Sequence, residues 1–458
     1  VVAAGTGVDV RVDARGDARV DAEVDRVARA YVRLALRLDR VLPGVLDAHL
    51  GDPDDAARVA AEPAPDPDDL ARETDRLRAA LPAADTGRTA FLDAQLRACR
   101  VLAEKAAGRD VGFVEEIERC FGVRVARGEP DRYREAHRAL DALVDGPGPL
   151  PERLAAFRDR DRLPAEHLPV ALRAVVDALR GRTGSTVGLP AGEEVTLEVV
   201  DAAPWSGFSR WLGRCRSAVA VNGGIGHRVT HLPLLVAHEA YPGHHTEHCR
   251  VAAHRGAASA RPEREVFLAR TPQSLVAEGA AELGLEVVVG AGWGRWNAEV
   301  LAAAGVPVDL AHAELGEAVE TVMARLAPVR QDAALMLHAE HRPAEEVVAH
   351  LRRWLLVDER RARRMLEFLA HPRWRTHTTT YVGGVRLLRP WLTEGLTDTP
   401  RELVTGRLAR VLDDPPTPEA LRVPSPPPER PARRPPRAGW APWLRRTAVG
   451  RRAAPRNR

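Results

Sequence analysis

The chain has 458 residues, 45% of them apolar, enough for a substantial core; with aromatics at only 4%, that core must be built from Leu, Val and Ala, which favours helices over sheets. The net charge of +3 is uneven: from Val423 to Arg458 ten Arg face the single acid Glu429, so this tail carries +9 and the remainder, by difference, −6, which excludes a uniformly basic body. Cys99, Cys120, Cys215 and Cys249 form no C-x-x-C pair, no apolar run is long enough to cross a membrane, and the first residues lack the apolar core of a signal peptide. The expectation is a soluble cytoplasmic protein with reduced thiols and no membrane partner.

In chain order, residues 1–22 read as a flexible polar leader. Val24, Val27, Tyr31, Leu34 and Leu38 then recur at helical spacing until Pro43-Gly44. A Pro/Asp-rich link covers residues 53–69. Helical patterns resume over 77–81, 90–106, 114–121 and 133–144, and again over 168–179, closed by Gly181. Residues 23–187 are thus a helical region with no chemical motif. Two strands follow, 195–199 and 217–222, the second ending at Gly223-Gly224. Further helices are expected over 271–286, 311–326, 329–340 and 344–369, and a polar loop or helix lead-in over 374–384. Residues 188–414 continue the same fold as 23–187, and from 415 to 458 the Pro- and Arg-rich tail is expected to be disordered.

Chemistry concentrates in one stretch. Seven of the 16 histidines lie between His227 and His254, around Val236-Ala237-His238-Glu239-Ala240-Tyr241-Pro242-Gly243-His244-His245. A His-Glu pair ending an apolar helix fits a zinc hydrolase, in which a metal ligand is followed directly by the general base. The second histidine of the usual H-E-x-x-H pattern is replaced by Pro242. Proline removes the amide that would bond the His238 carbonyl, so the helix must bulge or break there. Spacing alone then leaves His244 and His245 both open as second ligand. Downstream, Glu278, Glu282 and Glu286 share one helical face, with apolar neighbours and Gly279 allowing close backbone approach. Glu278 is the natural third ligand and Glu282 a partner holding a ligand histidine. Tyr381 is the first choice for oxyanion donor, with His377 and Arg330 as alternatives. A strand beside the metal helix offers an edge on which a peptide could pair, and residues 217–222 are assigned that role.

The run from Val236 to His248, followed by Ala277-Glu278-Gly279-Ala280-Ala281-Glu282-Leu283-Gly284 and later by Arg330 to His338 and Thr380 to Gly384, resembles the bacterial domain-of-unknown-function 885 family over roughly Tyr31 to Trp391. Its members resemble zincin metallopeptidases with an H-E-x-x-P-G-H motif. The resemblance implies a mainly α, cleft-forming, zincin-like fold with a short β-sheet beside the metal helix. It implies His238, His244 and Glu278 as Zn2+ ligands, favouring His244 over His245, and Glu239 as base. Ala280 departs from the Trp frequent after Glu-Gly in the family, which bears on pocket shape.

The expected function is a zinc-dependent hydrolase, a peptidase acting on short peptides or small amides. The alternative is a non-catalytic, metal-stabilised binding protein, its site closed by His248 or Cys249. The Arg-rich tail carries no base-reading motif, so no specific nucleic acid is expected.

Overall fold

Two Asp-Pro pairs set the pattern of the N-terminal half. The structure is a computed structural model that describes residues 14–83, 86–201, 203, 205–254, 261–393 and 401–422, with side chains from residue 19 onward. Helix α1 (Ala14–Val41) starts inside the expected leader, because Val20 already packs on the core formed by Val24, Val27 and Tyr31. Strand β1 (Leu46–His49) follows. The expected link is instead two helices, α2 (Pro53–Ala61) and α3 (Pro67–Ala79). Asp52 and Asp66 cap them by accepting backbone N–H bonds, and each Pro sits in the first turn, where its missing N–H costs nothing.

Helices α4 (Gly87–Ala106), α5 (Phe113–Phe121), α6 (Pro130–Leu143), α7 (Leu150–Arg160) and α8 (Leu168–Thr186) complete this half. The α8 helix runs past the expected stop at Gly181: a mid-helix glycine only weakens a helix, and fully buried Thr183 anchors the last turns. The α7 segment has no expected helix to match it, since its apolar signal reduces to Leu154 and Phe157.

Strands β2 (Glu194–Val200), β3 (Gly207–Gly213) and β4 (Arg216–Asn222) form one sheet in the order β2-β4-β3. The β2–β4 pairing is parallel and β3–β4 antiparallel. Strand β4 is therefore central and hydrogen-bonded on both sides, which corrects its expected role as a peptide-pairing edge; the edge beside the histidine stretch is β3. Helices α9 (Leu232–Glu239) and α10 (His244–Ala253) come next, then β5 (Val266–Leu268), which pairs antiparallel with β1.

The remainder is helical: α11 (Pro272–Val288), α12 (Trp293–Ala303), α13 (Leu310–Met323), α14 (Pro328–His338), α15 (Ala344–Leu355), α16 (Glu359–Ala370), α17 (Thr378–Thr393) and α18 (Arg401–Asp413). The single helix expected over 344–369 is two, because Leu356 is left-handed and Asp358 caps a new start. The polar segment around Tyr381 is helix and not a loop, with Gly383 and Gly384 inside α17. Residues 415–422 are structured, with buried Leu421 in a short 3-10 turn; the rest of the tail, and the leader before residue 14, lie outside the described residues.

The described residues are mainly α, 66% helix against 8% strand. One core joins α8, α9, α11 and the three-stranded sheet, a second joins α5 to α7 with α13 to α16, and a third lies under α1, α3 and α4. Among the described residues no helix is long and apolar enough to cross a membrane.

Candidate metal centre

Helix α9 is apolar and buried from Leu232 to Ala237, so it acts as a rod through the core that delivers His238 and Glu239 at its C-terminal end. The helix stops there. Ala240 leaves helical geometry, the Tyr241–Pro242 peptide is cis, and a new helix starts at His244. Gly243 is fixed by contact: a Cβ on it would lie 1.8 Å from the His238 carbonyl oxygen and 2.5 Å from that of Ala237. The Gly243 N–H donates to the Ala237 carbonyl at 2.9 Å, which ties the break to the end of α9. The expected break at Pro242 is thus present, and it sets the His244 ring edge-on to that of His238, with centroids 4.8 Å apart.

Glu278, from α11, closes a triangle with the two imidazoles. His238 Nε2 lies 3.2 Å from His244 Nε2 and 3.2 Å from Glu278 Oε2, and His244 Nε2 is 3.7 Å from Glu278 Oε1. For a tetrahedral zinc with ligand distances near 2.0–2.1 Å, ligand atoms sit about 3.3 Å apart, so the spacing fits. Among the described residues, His238, His244 and Glu278 are the one group of three or more such side chains with donor atoms this close. Glu278 Oε2 is buried and faces His238 Nε2, the side of the triangle a cation would share. His238 Nδ1 faces Glu282 Oε1 at 3.4 Å, which orients the ring and leaves Nε2 toward the centre. The residues present therefore fit a zinc ion.

Charge balance agrees. Burial disfavours a charged His238, but hydrogen bonds to Glu278 and Glu282 outweigh it and raise the imidazole well above its ordinary range. His244 is raised against its burial chiefly by the charge of Glu278. Glu278 is held well below its usual range: burial opposes ionisation, and the two histidines overcome it. Without metal the carboxylates thus favour protonated imidazole at the site, and a cation would displace protons.

The other histidines are placed elsewhere. His245 is fully buried; it faces Ser217 Oγ at 2.9 Å and Glu193 Oε2 at 3.0 Å and is outside the His238–His244–Glu278 group. His248 packs edge-on against Phe267 and Trp211. Cys249 lies beside His245, and its carbonyl accepts from the Cys215 thiol. His254 is at the end of α10, bonded to the Arg250 carbonyl. His227 bonds the Asn222 carbonyl, and His231 immediately precedes α9 with no capping hydrogen bond from its side chain.

Glu239 points to the β3 edge. Its carboxylate accepts from the backbone N–H of Ser209, and a Cβ at Gly207 would lie 3.2 Å from its Cγ. Burial raises the Glu239 carboxyl, offset only in part by His238 and His244, which moves a carboxylate toward the range useful to a general base near neutrality. From α17, Tyr381 reaches the centre with its ring centroid 5.9 Å from that of His238. Its hydroxyl lies 2.9 Å from His377 Nε2, and that nitrogen is 3.8 Å from Glu278 Oε1. Burial, with Glu278, Glu282 and Glu239 nearby, pushes the phenol well up, so it stays a proton donor. Arg330 is more peripheral, exposed at the start of α14.

No family profile matches the chain, and no curated protein matches it. Solved structures are similar to the chain, two of them as follows. One is a candidate lipoprotein from Colwellia psychrerythraea, at 14% identity and a TM-score of 0.47, covering 77% of this chain and 65% of that one. The other is a candidate lipoprotein of unknown function from Shewanella oneidensis, at 12% identity and a TM-score of 0.42, covering 78% of this chain and 69% of that one. The chain thus spans about two thirds of the length of these proteins, and at such scores the likeness carries no functional argument.

Two contributors lie outside the motif. Glu193, just before β2, accepts from Tyr241 and Arg180 as well as His245, pinning α10 and the 240–243 break to the sheet. Ser209 and Gly207 bring β3 against Glu239. A lone Glu after Gly192 and a Gly-flanked strand with Phe208 and Leu212 facing out give no readable signal.

Proposed function

We propose that this protein is a zinc-dependent hydrolase, a peptidase acting on short peptides or small amides, of the kind its motif likeness to the domain-of-unknown-function 885 family implies. The observation that carries the reading is the His238–His244–Glu278 triangle at tetrahedral spacing with Glu239 adjoining it. Three donors leave room for a fourth position, and His248 and Cys249, which would close it in the alternative metal-stabilised binding protein, are turned to other partners.

When bound, zinc would supply Lewis acidity to a water molecule and to the scissile carbonyl. Glu239, buried and raised toward neutrality, takes a proton from the attacking water and delivers it to the leaving nitrogen. Tyr381 donates a hydrogen bond to the carbonyl oxygen as negative charge develops there, with its hydroxyl positioned by His377. Glu282 keeps the His238 ring in one orientation. The β3 edge, beside Glu239, is where an extended peptide would pair. A reducing cytoplasmic compartment is the setting that four free cysteines favour.

The test is Glu239→Gln. The variant should retain its metal at wild-type stoichiometry and lose turnover on a peptide library. Full activity in the variant refutes Glu239 as base, and a purified protein that takes up no zinc refutes the centre itself.

A further inference from the structure

The region around the start of α9 carries more positive charge than its partners neutralise. Arg228 pairs with Glu320 of α13 at 2.7 Å and approaches Asp161 at 3.7 Å. Asp161 is already occupied by the Thr230 hydroxyl and backbone N–H. Arg158, from α7, finds among the described residues only the Leu356 carbonyl at 3.0 Å and the Met323 sulfur at 3.7 Å. Arg361, on the first turn of α16, lies in the field of Arg228, Arg330 and Glu320, and its guanidinium forms no hydrogen bond or ion pair among the described residues; nor does that of Arg330. Among the described residues, Arg158, Arg361 and Arg330 are thus left without a carboxylate at ion-pair distance.

Such an excess is costly away from bulk water. Burial, then the neighbouring Arg228 and Arg330, pushes Arg361 down to about 10; burial, then Arg361 and Arg228, does the same to Arg158. An arginine fork with no protein acceptor matches a carboxylate. The cluster also continues toward the metal centre: Arg330, on α14 packed against α16 and α17, acts on both Glu282 and Tyr381. His231, in the field of Arg228 and Arg361, immediately precedes α9, and His238 lies seven residues on, about 10 Å along the helix axis. An extended peptide covers that distance in about three residues.

We propose that Arg361 and Arg330, backed by Arg228 and Arg158, anchor the free C-terminal carboxylate of a short peptide two or three residues beyond the bond that is cut. The proposal rests on the peptidase reading and gives it a direction: the enzyme releases short C-terminal fragments and does not cut internally. It also assigns Arg330 to substrate anchoring in place of oxyanion donation.

The experiment compares cleavage of one random hexapeptide library made in two forms, C-terminal acid and C-terminal amide, by the zinc-loaded full chain. The acid form should be cut about tenfold to a hundredfold faster at limiting concentration, the loss expected for charge-assisted bonds to one carboxylate, with fragments of two or three residues released. Arg361→Gln and, separately, surface-exposed Arg330→Gln should erode that preference through a raised KM for the acid form; Arg330→Gln keeps the test valid if the more buried change impairs folding. Equal cleavage of acid and amide overturns the anchor and leaves the peptidase reading standing. A preference that survives in a folded Arg361→Gln and in Arg330→Gln overturns it equally. Cleavage of neither form by zinc-loaded protein overturns the peptidase reading, and the anchor with it.

Discussion

Gly243→Ala is the sharpest probe of how the metal centre is built. The added Cβ would sit 1.8 Å from the His238 carbonyl oxygen, 2.5 Å from the His238 carbonyl carbon and 2.5 Å from the Ala237 oxygen, where ordinary contact begins near 3.4 Å. All these atoms are backbone, so no side chain can swing away. Either the end of α9 or the start of α10 must move by about 1.5 Å, and a zinc site tolerates ligand displacements of only about 0.2 Å. The clash lies directly between the residues carrying the two histidine ligands, so at least one is displaced. Zinc affinity should fall about a hundredfold or more, and stability by about 1–3 kcal/mol as in other overpacked interiors. Gly181→Ala is the matched control: it lies mid-helix in α8 with nothing within 4 Å of the new Cβ, and should leave zinc untouched while stabilising by about 0.5–1 kcal/mol. Chelator competition gives the affinities and denaturant melts the stabilities. A Gly243→Ala protein with wild-type zinc affinity would refute the claim that the Pro-Gly break positions His244.

Tyr381→Phe removes the donor and keeps the ring, so zinc content should be unchanged while kcat drops about a hundredfold to a thousandfold; an unaltered kcat returns the role to His377. Burial would raise the Glu193 carboxyl, but hydrogen bonds from His245, Tyr241 and Arg180 hold it down to about 2. A depressed carboxylate stabilises the fold fully above its unfolded value near 4.5 and loses that as pH falls toward 2, which here amounts to about 3 kcal/mol. Glu193→Gln should flatten the acid limb of the stability curve in that window, as urea melts at stepped pH would show; an identical limb rules out the assignment. Because His238 and His244 are raised in the metal-free cluster, zinc uptake at neutral pH should release protons and weaken as pH falls, measurable by calorimetry in buffers of different ionisation enthalpy. Uptake without proton release would contradict protonated imidazole at the metal-free site.

The His-Glu pair and the break after it were legible because they are local: His238 and Glu239 adjoin, and the break at Pro242 can be read from the missing amide. The choice of His244 over His245 was not legible from spacing. It depends on backbone geometry across residues 240–243 and on Glu193 and Ser217 claiming His245 from behind, partners distant in sequence. The edge strand was missed for a different reason. In β3 the large residues Phe208 and Leu212 face solvent while Gly207 and Ser209 face the site, the reverse of the usual alternation, so no period-two core signal exists. The neighbouring β4 has that signal because it is central, which is also why it cannot offer an edge. The linker expected at 53–69 failed because Asp-Pro serves equally as a turn and as a helix cap, and only the buried Val59, Leu70 and Ala71 decide between them.

Two motifs that look independent in the sequence are one contact in space. A Cβ on Gly279 would lie 2.4 Å from the Gly384 carbonyl carbon, and a Cβ on Gly384 would lie 2.3 Å from the Leu275 carbonyl oxygen. Helices α11 and α17 therefore cross backbone to backbone, at a separation no side chain larger than hydrogen permits. Glu278 precedes one glycine, and Tyr381 lies one turn before the other. Glu278 and Tyr381, the proposed third ligand and oxyanion donor, are thus held at fixed separation by the crossing itself. Glycine, which ordinarily weakens a helix, is used here to bring two helices closer than Leu or Ala would allow. The same logic covers Gly284, where a Cβ would come within 2.9 Å of the Pro242 ring, so α11 also presses directly on the break that presents His244. One helix thereby sets the position of the carboxylate ligand and of the tyrosine, and braces the turn that delivers the second histidine.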